Sequence, residues 1–477
     1  MIIKKLIIFN RIQFIATAIN CIRRHIYKMS RIINIKNLIY IVVFSTPLYL
    51  IKLKIFTIPT NVLELLILLA FFFRLYEKKT NVKCQMSNVK CQKYFLPVFL
   101  ILLGLFASTL INHNYHVGFG IIKGWFAMPL VIAFLIIKEI KNEKEIQNIL
   151  KALYYSAFVV GLISLFYFFS GDITYDERLK AFYLSPNYLA MFLSPGLVSG
   201  IWFLVSGIKD KKYAKYPPAT PEHSDSGRGK ILNTKYLHII CLIIIGTALY
   251  LTYSYAAWIA VILSSILVSL IKKEKLFKKT LVVSCLLLVV SLILISQVGN
   301  SKFQNLINLD TRSSLASRVM IWESAAKILG DNLIFGVGPG NFQNKYLEYQ
   351  KYFPLYLEWA VPQPHNLFLA FWLQGGMLGI IGFLLLIFYW LRDMINFVTQ
   401  SFGRRIVSQN SAVSRYQDAK NSEYLAFAVL GIMFYILIHG LADTAYWKND
   451  LSAIFWIVMA LGIIIAKKNI ANKDLQL

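Results

Sequence analysis

Repeated apolar stretches are the feature that most constrains how this chain can fold. A helix needs about 20 mostly apolar residues to cross roughly 30 Å of hydrocarbon, and about twelve stretches reach or approach that length. Hydrophobic residues make up 57% of the 477 residues and charged residues only 15%, which excludes an ordinary soluble domain. The sequence therefore predicts an all-α integral membrane protein. Its expected transmembrane helices are residues 33–52, 60–76, 95–112, 119–138, 148–169, 184–206, 236–253, 255–272, 280–297, 376–392, 423–442 and 451–466.

These spans divide the chain into five segments. A basic segment, 1–32, precedes transmembrane helices 1–9, which occupy 33–297. A long loop with helical content, 298–375, separates helices 9 and 10, and helices 10–12 occupy 376–466 before a short tail, 467–477. Polar side chains concentrate in the long loop, whereas several spans contain no charged residue. We therefore expect the functional site in and around that loop.

The distribution of charge predicts the orientation. The formal net charge is +27. With the N-terminus inside, the cytoplasmic segments hold most of the 50 Lys and Arg residues, as the positive-inside rule requires. This predicts cytoplasmic termini and an extracytoplasmic 298–375 loop. Because the basic residues are spread over seven segments, we attribute them to anionic membrane lipids and expect no nucleic-acid partner.

The main charges expected inside the membrane are Glu64 and Lys123. A transporter usually carries ionisable residues along its path, and this chain has few. The five cysteines show neither a disulfide framework nor zinc-ligand spacing. We expect no metal and no cofactor.

Arg318 lies in a stretch with helical periodicity. Residues 314–329 carry apolar side chains at helical spacing, and Gly330 is a candidate C-cap. Arg318 flanks the apolar stripe. Two interpretations stay open: the arginine extends from an interfacial helix to lipid phosphates, or it binds an anionic ligand.

A glycine-rich turn follows this helix at residues 336–341, and it contains Gly338 and Gly340. The turn could bring the backbone close to a ligand, or it could be a tight connector. It lacks the Lys and Ser/Thr of a phosphate-binding loop, which disfavours nucleotide binding.

His365 follows a proline and precedes an apolar stretch. Pro364 suits a first helical position, so we expect His365 at the start of a short helix that Gly375 and Gly376 interrupt. The positive end of the helix dipole disfavours imidazolium, so the side chain is expected to be neutral and able to accept a proton. The alternative is a structural histidine that only makes hydrogen bonds.

Taken together, these stretches resemble the O-antigen ligase and O-antigen polymerase superfamily. The similarity runs from about 95 to 466 and is specific between 314 and 380. The matching motifs are His365-Asn366 with Gly376-x-x-Gly379, Ser317-Arg318, Gly338-Pro339-Gly340, Arg178-Leu179, Ser185-Pro186-Asn187-Tyr188-Leu189-Ala190 and the His439–Asp443 loop.

The resemblance implies an activity. Members are membrane glycosyltransferases that act at the outer face of the bacterial cytoplasmic membrane. They move a glycan from a polyprenyl-diphosphate carrier to an acceptor, either lipid A core or a carrier-linked repeat unit. Both reactions use the same donor, so ligase and polymerase stay open, and other polysaccharide assembly proteins are possible partners.

The resemblance also implies roles for residues. Arg318 matches an arginine thought to hold the diphosphate, and His365 matches the proposed base. The family often has a second arginine where this chain has Tyr255. Either Arg178 supplies the second positive contact, or the donor is handled differently, or the activity is altered.

The expected site has two groups of residues. The catalytic residues are His365 and Arg318. The expected substrate-binding residues are Arg178, Asn187, Tyr255, Asn366, Gly338 and Gly340. One base and one activated leaving group predict a single displacement with inversion. The alternatives are a transporter or flippase of lipid-linked sugars, and a non-catalytic scaffold of polysaccharide assembly.

Overall fold

The computed structural model describes residues 34–55, 58–80, 92–209, 224–271, 295–308, 313–353, 361–407 and 413–471. Within these ranges the chain is mostly helical. The expected segment 1–32, most of the expected span 280–297 and the end of the tail lie outside the described residues.

The helices follow the order of the apolar stretches. Those that precede the long loop are α1 (Ile35–Phe44), α2 (Val62–Thr80), α3 (Gln92–Ile111), α4 (Tyr115–Ile121), α5 (Met128–Glu139), α6 (Glu143–Phe169), α7 (Pro186–Lys209), α8 (Ser224–Leu251) and α9 (Tyr255–Ile271). Those in and after the loop are α10 (Ser301–Ile307), α11 (Ser314–Asp331), α12 (Phe342–Tyr349), α13 (Leu367–Val407), α14 (Val413–His439) and α15 (Asn449–Ala471).

Short irregular elements join some of these helices. A π-helical turn, Ile122–Ala127, connects α4 to α5, and a 3₁₀ helix, Thr46–Leu50, follows α1. Another 3₁₀ turn, Gln350–Tyr352, follows α12. The class is not purely α, because strands β1 (Lys52–Ile55) and β2 (Ile58–Asn61) form an antiparallel pair with Lys52 opposite Asn61.

Seven helices among the described residues are long and apolar enough to cross a membrane. They are Gln92–Ile111, Tyr115–Glu139, Glu143–Phe169, Pro186–Leu204, Leu367–Ser401, Asn421–His439 and Asn449–Lys467. Three shorter apolar helices, Ile35–Phe44, Tyr236–Leu251 and Tyr255–Ile271, accompany them. The chain is thus a multi-pass membrane protein. The total of about twelve spans and the extracytoplasmic position of the long loop stay predictions.

Close helix packing surrounds α15, whose side chains are almost all buried from Leu451 to Ala466. Trp390 of α13 donates its indole N–H to the Met459 carbonyl of α15 at 3.1 Å. Helices α3 and α13 approach through glycine: a Cβ on Gly104 would lie 2.3 Å from the Gly375 carbonyl. Small residues allow such backbone contacts between membrane helices.

A break in α13 fixes the position of the loop that precedes it. Gly376 has φ 63° and ψ −163°, which is non-helical, so the predicted interruption at Gly375 and Gly376 is confirmed. The freed backbone groups pair with the connector after α11. Met377 N–H donates to the Ile334 carbonyl at 2.9 Å, and Val337 N–H donates to the Leu373 carbonyl at 2.6 Å. Broken membrane helices need such partners because hydrocarbon offers none.

Two predicted helix boundaries are wrong. Helix α11 passes Gly330 and ends at Asp331. Pro364 is not a first helical position, because α13 begins at Leu367. Asn366 supplies the cap: its Oδ1 accepts hydrogen bonds from the backbone N–H groups of Phe368 and Leu369. Asparagine is a strong N-cap because its side-chain oxygen satisfies the free N–H groups of the first turn.

Candidate functional site

A polar cavity of about 140 Å³ lies where the starts of α7, α9 and α11 meet α10 and the residues before α13. Among the residues predicted for the site, it brings together Arg178, Asn187, Tyr255, Arg318 and His365. The remaining lining residues are Ser254, Ala256, Lys302, Ser314 and Ser317. The volume is below the roughly 300–1,000 Å³ of a drug-sized pocket, so the cavity suits a small charged group rather than a whole sugar chain.

Asp443 connects the polar residues around this cavity. It lies between α14 and α15, and its side chain is only 3% exposed. Its Oδ1 lies 2.9 Å from His365 Nδ1 and accepts the Thr444 N–H at 2.8 Å. Its Oδ2 accepts from Asn187 Nδ2 at 3.1 Å and lies 3.9 Å from Arg318 Nη2. One carboxylate therefore links residues from three separate parts of the chain.

The charge state of Asp443 decides which nitrogen of His365 is free. Burial raises the pKa of Asp443, but the electrostatic attraction and the hydrogen bond of the His365 ring, followed by the charge of Arg318, lower it by more, so the pKa falls well below its usual range. An ionised carboxylate only accepts hydrogen bonds. His365 Nδ1 therefore donates to Asp443, which leaves Nε2 as the acceptor.

The backbone of His365 is held in an unusual conformation. Its φ is +45°, in the left-handed region that non-glycine residues seldom adopt. Trp322 of α11 donates its indole N–H to the His365 carbonyl at 3.1 Å. The imidazole is 30% exposed. Strained backbone of this kind clusters at functional sites.

The structure changes the physical account of His365. The sequence places it at a helix N-terminus, but Asn366 caps the helix and His365 precedes it. The imidazole is thus oriented by the carboxylate of Asp443, which also stabilises positive charge on the ring when Nε2 takes up a proton.

Arg318 is directed into the cavity and fixed by backbone carbonyls. Its Nε donates to the Ala442 carbonyl at 2.8 Å and its Nη1 to the Ser314 carbonyl at 3.3 Å. The side chain is 18% exposed. This geometry favours ligand binding over an extension toward lipid phosphates, and N–H groups of the guanidinium remain for an anion.

Arg178 approaches the same cavity from the connector between α6 and α7. Its Nε donates to the Thr252 carbonyl at 2.8 Å and its Nη2 to Asn187 Oδ1 at 2.7 Å, while Asp176 Oδ2 lies 3.6 Å from Nη1. Burial lowers the pKa of Arg178, and the charge of Arg318 lowers it further. Two arginines that repel each other across a cavity attract an anion placed between them.

Lys302 is a third cation in the cavity, and the sequence analysis missed it. Its Nζ donates to the Tyr253 carbonyl at 2.7 Å and lies 5.1 Å from the ring centroid of Tyr255. Asp443 was also missed as a site residue, although the His439–Asp443 stretch belongs to the resemblance. Nothing in the sequence around Lys302 distinguishes it from the other lysines.

Three predicted substrate-binding residues do not line the cavity. Asn366 caps α13, and its Nδ2 donates to the Leu441 carbonyl at 3.0 Å. Gly338 and Gly340 have φ of 88° and 77°, and a Cβ on Gly340 would lie 2.5 Å from Val117 Cγ1 of α4. These contacts are those of a tight connector, and a substrate role for the three residues stays a prediction.

The residues that the structure describes contain no cluster of metal-ligand side chains. No group of three or more His, Cys, Asp or Glu side chains there could hold a metal ion.

Comparison with known proteins agrees with the resemblance. Residues 240–384, less than a third of the chain, match the family model described as O-antigen ligase. A search of curated proteins gave no significant match. The matched segment contains Tyr255, Lys302, Arg318 and His365, whereas Arg178, Asn187 and Asp443 lie outside it. Residues 240–384 are thus similar to the O-antigen ligase family, and the resemblance of this chain to the O-antigen ligase and polymerase superfamily is confirmed.

Proposed function

We propose that this protein transfers a glycan from a polyprenyl-diphosphate carrier to an acceptor sugar at the outer face of the bacterial cytoplasmic membrane. The family match supports glycan transfer of the O-antigen ligase type. The observation that carries the mechanism is one cavity lined by Arg178, Arg318 and His365, with Asp443 bonded to the imidazole.

The arginines suit the leaving group. When the bond between the anomeric carbon and the diphosphate breaks, both bonding electrons go to the phosphate oxygen. Fixed positive groups that meet this developing charge lower the barrier. Arg178 and Arg318 are held in place by the Thr252 and Ala442 carbonyls, so little reorganisation is needed as the charge forms.

The imidazole suits the acceptor. The acceptor hydroxyl oxygen forms the new bond to the anomeric carbon and must lose its proton. His365 Nε2 takes that proton, and Asp443, bonded to Nδ1, stabilises the resulting imidazolium. Attack and departure on opposite faces of the sugar give inversion in one displacement.

The placement of the cavity suits a lipid-borne donor. The residues that form it come from connections that the positive-inside rule assigns to one face of the membrane, 170–185, 251–255, 298–366 and 440–448, and from the starts of α7 and α9 next to them. A carrier whose tail stays in the bilayer reaches such a site with its diphosphate, while the sugars project outward. The small volume matches the diphosphate alone.

The transporter alternative has less support. It expects charges that line a path through the membrane. The two main intramembrane charges, Glu64 and Lys123, instead form an ion pair at 2.8 Å, and Thr60 donates to the same carboxylate at 2.8 Å. Ligase and polymerase share the donor chemistry, so both remain within the proposal.

Removal of the base tests the proposal. We expect His365→Ala to lower transfer from a carrier-linked oligosaccharide in proteoliposomes by about 10²–10⁴-fold, the usual contribution of a general base. His116→Ala removes an exposed histidine of α4 and is expected to leave transfer unchanged. Transfer at the wild-type rate by a correctly inserted His365→Ala protein would exclude the mechanism.

A further inference from the structure

Lys302 differs chemically from the other cations of the cavity. Its Nζ is held by two uncharged partners, the Tyr253 carbonyl at 2.7 Å and the ring of Tyr255 at 5.1 Å. Asn300 accepts the Lys302 backbone N–H at 2.9 Å and so fixes the start of α10. Lysine, unlike arginine, can lose its proton at accessible pH when it is buried.

The surroundings of Lys302 favour the loss of the proton from its ammonium group. Burial, and then the charge of Arg178, lower the pKa of Lys302 to about 7, while Asp176 opposes the shift and Arg318 adds to it. Before an anion binds, therefore, Lys302 exchanges its proton near neutral pH. An anion bound among Lys302 and the two arginines would oppose both causes of the shift.

We propose that Lys302 is a third cation for the donor diphosphate, and that donor binding is coupled to the uptake of one proton at Lys302. This inference rests on the proposed function. The proton comes from the buffer acid, whose conjugate base stays in solution: one N–H bond forms at Nζ as the buffer's bond to hydrogen breaks, the resulting ammonium pairs with the diphosphate, and no bond to carbon or phosphorus changes.

Tyr255 supplies the aromatic contact of Lys302. Its ring faces Nζ, and a ring face attracts an ammonium. Its hydroxyl donates to Gln297 Oε1 at 3.2 Å, which orients the ring. Tyr255 thereby holds a cation beside the cavity at the position where the resemblance leads one to expect an arginine.

The other charged and titratable groups near Lys302 determine which proteins must be compared. The charged ones are Asp176, Arg178 and Arg318, and His365 lines the same cavity. Histidine also titrates near neutral pH. Proton uptake must therefore be compared between proteins that all retain His365.

The test uses farnesyl diphosphate as a short lipid-diphosphate probe. Binding to the full chain in nanodiscs is measured by isothermal titration calorimetry at pH 6.5 and 8.5, in buffers of different ionisation enthalpy. At pH 8.5 we expect the wild type to take up about one proton and both Lys302→Arg and Lys302→Met to take up about none at this position. Lys345→Met removes a lysine paired with Glu348 outside the cavity and is expected to behave as wild type.

Affinity gives a second readout. For a pKa near 7 before the probe binds, the ratio of wild-type to Lys302→Met affinity is expected to fall about 25-fold between pH 6.5 and 8.5. Dividing by the Lys302→Met affinity cancels the effect of the probe's own second ionisation, which occurs near pH 6. We expect inorganic pyrophosphate to bind at least tenfold more weakly than farnesyl diphosphate, and equal binding would overturn the assignment to a lipid diphosphate.

Equal proton uptake by the wild type and Lys302→Met would overturn the coupling. Each variant is checked for membrane insertion and for a single species in gel filtration, and Lys302→Arg serves where Lys302→Met does not fold. Failure of this inference is distinguishable from failure of the proposed function, because the latter is judged by turnover of His365→Ala.

Discussion

Asp443→Asn is the sharpest perturbation of the site, because the four atoms around this carboxylate are all hydrogen-bond donors. Oδ1 faces Thr444 N–H and His365 Nδ1, and Oδ2 faces Asn187 Nδ2 and Arg318. Asparagine offers one acceptor oxygen and one NH₂. The Thr444 N–H belongs to the backbone and cannot turn away. The amide oxygen of the introduced asparagine therefore stays on the side of Thr444 and His365. Its NH₂ then faces Asn187 Nδ2 and Arg318, which are also donors.

The magnitude follows from the lost charge. His365 retains its Nδ1–H, but the imidazolium formed during transfer loses its counter-ion. At 2.9 Å and an effective dielectric constant of about 20, two unit charges attract by about 6 kcal/mol. The imidazole is 30% exposed, so we take about half of this value as effective. A loss of about 3 kcal/mol corresponds to a roughly 100-fold lower rate.

The assay is single-turnover transfer from a carrier-linked oligosaccharide in proteoliposomes, which measures the chemical step rather than product release. Asp172→Asn, a change at an exposed carboxylate in the 170–185 connection that carries Arg178, is the matched control and is expected to retain the wild-type rate. An Asp443→Asn rate within threefold of wild type, in protein that inserts normally, would refute the role of Asp443 in orienting and stabilising the imidazole.

Two further predictions concern the fold. Gly376→Ala would place a Cβ 2.2 Å from the Ile334 carbonyl at a φ of +63°, so we expect at least about 3 kcal/mol of destabilisation in thermal unfolding of the detergent-solubilised protein. Gly120→Ala, a helical position with open space, should change stability by no more than about 1 kcal/mol, and equal effects would contradict the clash. Glu64→Ala leaves Lys123 with only the Pro59 carbonyl of the two partners that its ammonium has here and should cost about 1–3 kcal/mol, part of it recovered when Lys123→Met is added; no recovery in the double variant would count against the pairing.

The sequence was most informative about the helices. The expected spans 95–112 and 148–169 correspond to Gln92–Ile111 and Glu143–Phe169. The reason is physical: in hydrocarbon every backbone N–H and C=O must be satisfied within the segment, so a long apolar stretch has little choice but a helix. Helix starts were less predictable. Pro364 suits a helix that starts at residue 364 and Asn366 suits one that starts at Leu367, and the structure has the second.

The site was predicted in part. Arg318 and His365 were identified through the resemblance, and both line the cavity. Asp443 was not assigned a role, because its bond to His365 joins residues 78 positions apart and no local pattern signals it. Gly338 and Gly340 resembled a ligand loop in sequence, but in the structure they pack against α3 and α4.

By itself, then, the sequence determined that this chain crosses a membrane several times and which of its connections carry polar side chains. Both can be read from short stretches, because hydropathy and charge are local properties of the sequence. Only the tertiary structure decided which of those side chains meet. Asp443 contacts both His365 and Arg318, and Lys302 lies against the ring of Tyr255. These contacts depend on how α7, α9, α11 and α13 pack at one end of the bundle. Packing between distant segments is set by side-chain shape and glycine contacts, which leave no periodic trace in the sequence.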